Sequence, residues 1–184
     1  MEKTKNMTIL LQSDLSRKHS TLDGNLWGIE RDSDKPDRLI YIYETLVKLN
    51  LPNNFSIVDI AAGRGVVLNG LALAFPECRP EINDIYHYKY DWTKITPRVK
   101  FHVEPLQEFI KSQGGYDVVM MLNSYRNWTG DLDGSIQKSF DKWLVNNAKY
   151  FITSGSELPY EQGEIRGKDF RRNLQIFKLP LSKI

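Results

Sequence analysis

Apolar residues along the chain follow two patterns, short continuous runs and helical repeats. Continuous runs rich in β-branched or large apolar residues occupy 57–60 and 118–122, and a third follows Ala148. Such runs are typical of buried parallel strands. Three segments repeat apolar residues at helical spacing, namely 39–49, 66–75 and 135–143. Strand, turn and helix in this order over 55–75 predict the first half of a βαβ unit.

Weaker patterns lie near the start of the chain. Asp34 and Pro36 suit the beginning of the helix that carries the first repeat. The stretch 78–84 predicts a second strand, although Pro80 lies inside it. If this strand forms, Asp84 ends it.

The second half of the chain predicts further elements of both kinds. The alternation over 99–103 predicts a third strand, and His102 within it is interpreted as a packed or surface histidine. A short helix is expected over 106–110. We expect a polar loop over 155–165 and a terminal antiparallel strand or hairpin within 169–181.

A glycine-containing turn follows the first strand directly. It reads Ala61-Ala62-Gly63-Arg64-Gly65. Glycine allows a sharp turn and the close approach of a ligand to the backbone, and the following helix directs its N-terminus at that ligand. The turn lacks the Gly-x-Gly-x-x-Gly pattern of dinucleotide-binding folds. The alternative is an ordinary strand-turn-helix with no ligand.

This stretch resembles motif I of the class I S-adenosylmethionine-dependent methyltransferases, Asp/Glu-x-Gly-x-Gly-x-Gly. Asp59 takes the acidic position, Gly63 and Gly65 take the last two glycines, and Ala61 replaces the first. The tail Arg171-Arg-Asn-Leu…Phe-Lys-Leu-Pro is similar to the end of small bacterial members. The resemblance implies an α/β fold with a doubly wound, mainly parallel sheet and a C-terminal antiparallel strand or hairpin.

The resemblance also implies S-adenosylmethionine as the cofactor, with a set of residues around its methionine part. Gly63 and Gly65 would let the backbone approach it, in the turn that Ala61 begins. Asp59 would accept a hydrogen bond from its amino group, directly or through water. Asn123, after the fourth strand, would close the site beside it.

The nucleoside part has its own implied residues. Asp84 would hold the ribose hydroxyls, the alternative being a solvated turn aspartate. Ile85 would pack against the adenine. Glu104, just after the third strand, would accept a hydrogen bond from the adenine amino group.

No general base is singled out by spacing. Motif IV of the family often reads Asn-Val-Leu-Glu-His, whereas Arg126 and Asn127 replace its last two residues here. A hydroxyl acceptor usually needs a base, and an amine or carboxylate needs none. The candidates are His87 and Tyr125, followed by Tyr86 and His19.

Length and charge set limits on the whole chain. Its 184 residues predict one domain, 35–184, preceded by an arm, 1–34, that either closes as a lid or anchors to the core. A net charge of +2 is too small to argue for a nucleic-acid or membrane partner, and we expect neither. The single cysteine, Cys78, excludes a disulfide within the chain and a zinc cluster of cysteines. No apolar run approaches the roughly 20 residues of a membrane span, and a cytoplasmic location follows as the default.

The resemblance implies S-adenosylmethionine-dependent methyl transfer. Because the similar small bacterial enzymes are associated with saccharide and secondary-metabolite modification, it also implies a small-molecule or saccharide acceptor, at oxygen. Two alternatives stay open. One is a methyltransferase-like protein without catalysis, acting as a binding or regulatory subunit. The other is a different nucleotide-binding enzyme such as an NAD-dependent oxidoreductase, against which the missing dinucleotide fingerprint argues.

Overall fold

The structure, a computed structural model, describes residues 35–63, 65–85, 97–122, 134–154, 164–169 and 174–179. The predicted N-terminal arm, 1–34, lies outside the described residues. Strands are β1 Ser56–Ile60, β2 Arg79–Asp84, β3 Lys100–Val103, β4 Tyr116–Met121, β5 Ala148–Ser154, β6 Glu164–Asp169 and β7 Leu174–Lys178. Helices are α1 Lys35–Lys48, α2 Val66–Ala74, α3 Leu106–Ser112 and α4 Ser135–Asn147.

The strands form one seven-stranded sheet in the order β3-β2-β1-β4-β5-β7-β6. Neighbours among β1 to β5 pair in parallel, and β7 pairs antiparallel with both β5 and β6. The order of strands reverses direction between β1 and β4. Open α/β sheets bind ligands at such a reversal, outside the carboxyl ends of the strands.

Helices cover both faces of the sheet. On one face Ile57 of β1 packs in a core with residues of α1 and α2, such as Ile42 and Leu71. On the other face Val58 and Ile60 pack with residues of α3 and α4. The predicted doubly wound, mainly parallel α/β fold is confirmed. None of the described helices combines the length and the apolar character needed to cross a bilayer.

The two strands predicted from continuous apolar runs are buried along their whole length. Every residue of β1 and of β4 is buried, including Asp59 in β1 and Asp117 in β4. A strand between two parallel neighbours is covered on both faces by crossover helices, so its sequence does not alternate. The runs were therefore sufficient to predict both strands.

Pro80 is accommodated in β2 by its position relative to β3. The Arg79 amide donates to Phe55 O on the β1 side at 2.8 Å, so the next residue directs its backbone nitrogen to the β3 side. Pairing with β3 begins only at Glu81, opposite Lys100. Pro80 has no amide hydrogen, but β3 does not pair with β2 at this position, so no hydrogen bond between the two strands is lost.

The C-terminal hairpin is confirmed, but it begins earlier than expected. The segment 155–165 was predicted as a polar loop, and the structure places the start of β6 at Glu164. β6 reads Glu-Ile-Arg-Gly-Lys-Asp and carries almost no apolar signal. It forms a strand because β7 pairs along it, from Glu164 opposite Lys178 to Asp169 opposite Leu174.

Candidate functional site

The turn after β1 is built from residues in the left-handed conformation. Ala61, Gly63 and Gly65 have φ values of 52°, 56° and 64°. The turn closes through Gly65 N–H, which donates to Ala62 O at 2.9 Å. Glycine adopts this conformation freely, whereas alanine pays about 1 kcal/mol for it. The turn thus forms with Ala61 where the family motif has glycine.

The two glycines of the turn have different surroundings. A Cβ at Gly65 would lie 2.4 Å from Ile82 Cδ1 and 3.2 Å from Asn69 Nδ2, so this glycine lets α2 pack closely on β2. A Cβ at Gly63 would meet no atom of the described residues within 4 Å. The backbone that is open to a ligand is therefore the one at Gly63.

Asp84 is joined to this turn from the neighbouring strand. The Gly63 amide donates to Asp84 Oδ2 at 2.8 Å. Asp84 ends β2, next to β1 in the sheet, and its side chain is partly buried. A carboxylate oxygen accepts more than one hydrogen bond, so an anchored Asp84 can still bind hydroxyl groups. The structure thus brings together two residues predicted for the site from distant parts of the sequence.

Asp59 is a buried carboxyl group with an unsatisfied oxygen. Only 3% of the residue is exposed, and its Oδ1 has no hydrogen-bond partner among the residues described. Burial, followed by the nearby charge of Asp84, raises the pKa of Asp59 from 3.8 to about 8. At neutral pH the carboxyl is therefore mostly protonated, and a cationic group beside it would favour loss of that proton.

The end of β3 completes this edge of the sheet. Glu104 N–H donates to Asp84 O at 3.2 Å, which places Glu104 beside the end of β2. Ile85, 48% exposed, follows Asp84 at the same edge. Exposed apolar surface at Ile85 and the acidic residues Asp84 and Glu104 thus belong to the same edge of the sheet.

Asn83, which the sequence did not single out, fixes the end of β3. Its side-chain Nδ2 donates to Glu104 O at 3.0 Å and to His102 O at 3.3 Å. Asn83 is 1% exposed, and its Oδ1 has no partner within the described part of the chain. An asparagine at the end of a weak strand carries no distinctive sequence signal beyond its position before Asp84.

His102 lies between two glutamates. Its Nε2 is 2.7 Å from Glu81 Oε2, and its Nδ1 is 3.6 Å from Glu104 Oε1. The Tyr116 hydroxyl also donates to Glu81 Oε2, at 2.7 Å. Burial and then the Glu81 carboxylate raise the pKa of Tyr116, which stays a hydrogen-bond donor. With 8% of its side chain exposed and Phe109 against its ring, His102 is packed, one of the two interpretations the sequence allowed.

Comparison with solved structures shows the same fold in known methyltransferases. The 16S rRNA methylase RmtB matches with a TM-score of 0.61 at 15% identity, over 97% of this chain and 74% of RmtB. The bifunctional kinase-methyltransferase WbdD matches with a TM-score of 0.59 at 17% identity, over 83% of this chain. The chain has a class I methyltransferase-like fold. YhhF from Escherichia coli, a methyltransferase by assignment, matches with a TM-score of 0.54 at 13% identity, over 78% of this chain and 85% of YhhF.

This chain spans only 42% of the WbdD chain that it matches. No protein-family model and no curated sequence matches the chain. At these identities the comparisons establish the fold alone. The substrates of the compared proteins do not carry over to this chain.

One prediction is corrected by the comparison. The small net charge was taken to exclude a nucleic-acid partner, and this exclusion is wrong. RmtB, a 16S rRNA methylase, shares the methyltransferase fold over 97% of this chain. Net charge sums over the whole surface and does not describe the one edge where an acceptor approaches.

Five other predicted residues lie outside the described part of the chain, among them the candidate base His19 in the arm 1–34. Asn123, predicted to close the cofactor site, follows Leu122, the last described residue after β4. His87 and Tyr125, the candidate bases, and Tyr86 lie in the undescribed segments after β2 and β4. Their roles stay predictions.

Proposed function

We propose that this protein is an S-adenosylmethionine-dependent methyltransferase that transfers a methyl group to an oxygen of a small-molecule or saccharide acceptor. The observation that carries the proposal is the edge of the sheet where β1 and β2 end. An open backbone at Gly63, an anchored carboxylate at Asp84 and a buried, unsatisfied carboxyl at Asp59 meet there. This is the edge at which folds of this type bind nucleotides.

The residues present fit the cofactor. Its methionine part carries a cationic amino group, and Asp59 supplies a buried carboxyl oxygen that lacks a partner among the described residues. Its ribose offers two hydroxyl donors, and Asp84 presents a carboxylate held in place by the Gly63 amide. Its adenine has an apolar ring and an amino group, which Ile85 and Glu104 suit as a surface and an acceptor.

When bound, the cofactor supplies an electrophilic methyl group on a sulfonium. The chain's own contribution is to fix that group in line with the acceptor and to keep water away. Gly63 lets the backbone lie close to the ligand, and Gly65 keeps α2 tight against β2 so that the turn holds its shape. The proton of an oxygen acceptor would pass to a base in the segments that hold His87 and Tyr125.

The acceptor class rests on the sequence. The resemblance of the tail at Arg171 is to small bacterial enzymes associated with saccharides and secondary metabolites. We propose that the cofactor domain spans 35–184 and that the arm 1–34 closes as a lid or anchors to the core; a cytoplasmic location stays a prediction.

Calorimetric titration of the purified protein with S-adenosylmethionine, S-adenosylhomocysteine and NAD tests the cofactor. We expect binding of the first two and none of NAD. Asp84→Ala should weaken binding at least tenfold, because it removes the ribose acceptor and the anchor of the Gly63 amide. Glu108→Ala, an exposed carboxylate on α3, serves as the control and should bind like the wild type.

A methyl-transfer screen with radiolabelled S-adenosylmethionine then tests the acceptor. The panel contains saccharides, phenolic and hydroxylated small molecules, and ribosomal RNA. Turnover on the first two groups supports the proposal, and turnover on RNA alone would replace the acceptor class. Cofactor binding without turnover would indicate a non-catalytic subunit, and binding of NAD alone would indicate an oxidoreductase.

A further inference from the structure

We propose that Asn69 of α2 is a positioning residue that holds the turn of residues 61–65 in the shape that receives the methionine part of the cofactor. The inference rests on the proposed function, because it concerns how one part of that cofactor is bound. It assigns a role to an asparagine that lies outside the glycine motif. Two hydrogen bonds from this residue to one carbonyl oxygen carry the argument.

Asn69 is a buried polar residue in an otherwise apolar helix. α2 reads Val-Val-Leu-Asn-Gly-Leu-Ala-Leu-Ala, and only 1% of Asn69 is exposed. A buried amide costs free energy unless it is hydrogen-bonded, and asparagine forms helix less readily than leucine or alanine. The side-chain Nδ2 of Asn69 donates to Gly65 O at 2.8 Å. Asn69 is thereby tied to the last residue of the turn, one helical turn earlier in the chain.

Gly65 is a residue whose orientation needs to be held. It precedes α2 in the left-handed conformation, with φ 64° and ψ 22°, and no side-chain hydrogen bond caps the helix there within the described residues. Glycine adopts positive and negative φ about equally readily, so its peptide groups reorient easily. The Gly65 carbonyl accepts from the Asn69 amide at 2.9 Å as well as from Nδ2. Two donors on one oxygen fix the direction of this carbonyl group.

The constraint at Gly65 extends to the part of the turn that faces the ligand. Gly65 N–H donates to Ala62 O at 2.9 Å, so the peptide groups on both sides of Gly65 are held. Gly63, with its open backbone, lies inside the loop that this bond closes. Asp84 stands on β2, which pairs with β1 as far as Ile60 opposite Asn83 and keeps its place independently of the turn. Asn69 should therefore affect the affinity for the methionine part more than that for the nucleoside.

The test compares the dissociation constants of S-adenosylhomocysteine and methylthioadenosine in calorimetric titrations. Both compounds contain the adenosine and the sulfur, and only the first contains the amino-acid part. We expect Asn69→Val, which has no donor, to weaken S-adenosylhomocysteine about tenfold, the loss that corresponds to one hydrogen bond. Methylthioadenosine should weaken by less than about threefold, because the nucleoside does not depend on the turn.

Asn69→Thr separates the hydrogen bond from the packing. Threonine and valine have the same shape, but the threonine hydroxyl in a helix can donate to the carbonyl four residues earlier. We expect this variant to bind both compounds within about threefold of the wild type. Asn147→Val is the matched control, since Asn147 Nδ2 donates to Trp143 O at 2.9 Å with the same spacing. It lies at the start of β5, at the opposite edge of the sheet, and both affinities should be unchanged.

Three results would overturn the inference. They are wild-type affinities in Asn69→Val, an equal loss of S-adenosylhomocysteine affinity in the valine and threonine variants, and an equal loss for both compounds in Asn69→Val. Failure of the wild type to bind either compound would instead contradict the proposed function. Urea unfolding of each variant checks that it is folded, and Asn69→Ser against Asn69→Ala gives the same comparison if the valine variant is not.

Discussion

Replacing Asp59 by asparagine should make the protein increasingly more stable than the wild type as the pH rises. The folded protein retains the Asp59 proton up to about pH 8, whereas the unfolded chain loses it near pH 3.8. Between these values the free energy of unfolding of the wild type therefore falls with rising pH. The slope approaches about 1.4 kcal/mol per pH unit, which amounts to roughly 4 kcal/mol between pH 5 and pH 8. Asparagine keeps the shape of the side chain and carries no such dependence.

Urea unfolding at pH 5, 6, 7 and 8, followed by tryptophan fluorescence, measures this difference. Asp117→Asn provides a buried carboxylate with the opposite behaviour. Burial raises the pKa of Asp117, but hydrogen bonds from Lys149 and Ser56 outweigh it and leave the pKa below its ordinary value. Its ionisation therefore affects stability only below about pH 4, and the difference between this variant and the wild type should be constant from pH 5 to pH 8.

The result that refutes the reasoning is a constant difference between Asp59→Asn and the wild type across the four pH values. It would mean that Asp59 is ionised in the folded protein and that a partner stabilises its charge. A difference that grows with pH for both variants would point to a general effect of net charge instead.

Three further results are expected. Asp117→Asn should lower the free energy of unfolding by about 2 kcal/mol at pH 7 in urea titrations, and the loss should shrink as the pH falls below 4, where the wild-type carboxylate is protonated too. Gly65→Ala should lower the free energy of unfolding by about 2–3 kcal/mol in the same assay, because the added methyl group meets Ile82. Gly63→Ala should lower it by only about 1 kcal/mol but should weaken cofactor binding. A larger loss of stability for Gly63→Ala than for Gly65→Ala would contradict the packing role of Gly65. The affinity for S-adenosylhomocysteine should rise about tenfold from pH 6 to pH 7 in calorimetric titrations as Asp59 becomes easier to deprotonate, and this dependence should vanish in Asp59→Asn.

The fold was predictable where neighbouring residues of a strand are apolar because both faces of the strand are buried. β1 and β4 are apolar because helices cover both of their faces, and such runs are visible without a structure. β6 was not predictable, since Glu164–Asp169 becomes a strand through its partner β7 and not through its own composition. The residues of a short segment do not show which distant segment it will pair with.

The residues of the candidate site also fall into those that the sequence predicted and those that it did not. Gly63 and Asp84 belong to spaced motifs, so the sequence predicted them, and the hydrogen bond between them follows from the adjacency of β1 and β2. Asn83 of β2 and His102 of β3 act through contacts between these two strands. Whether a polar residue in a strand meets water or a carboxylate depends on what the neighbouring strand brings opposite it, and one sequence does not show that.

The position of β7 between β5 and β6 has a consequence for folding during synthesis. β5 pairs with β4, which emerges earlier, but its other edge is covered only by Leu174–Lys178. While the ribosome adds 155–173, the outer amides and carbonyls of β5 have no strand to pair with. An open edge of this kind is a template for association with another chain. The hairpin therefore covers this edge late, after β1 to β5 have been synthesised.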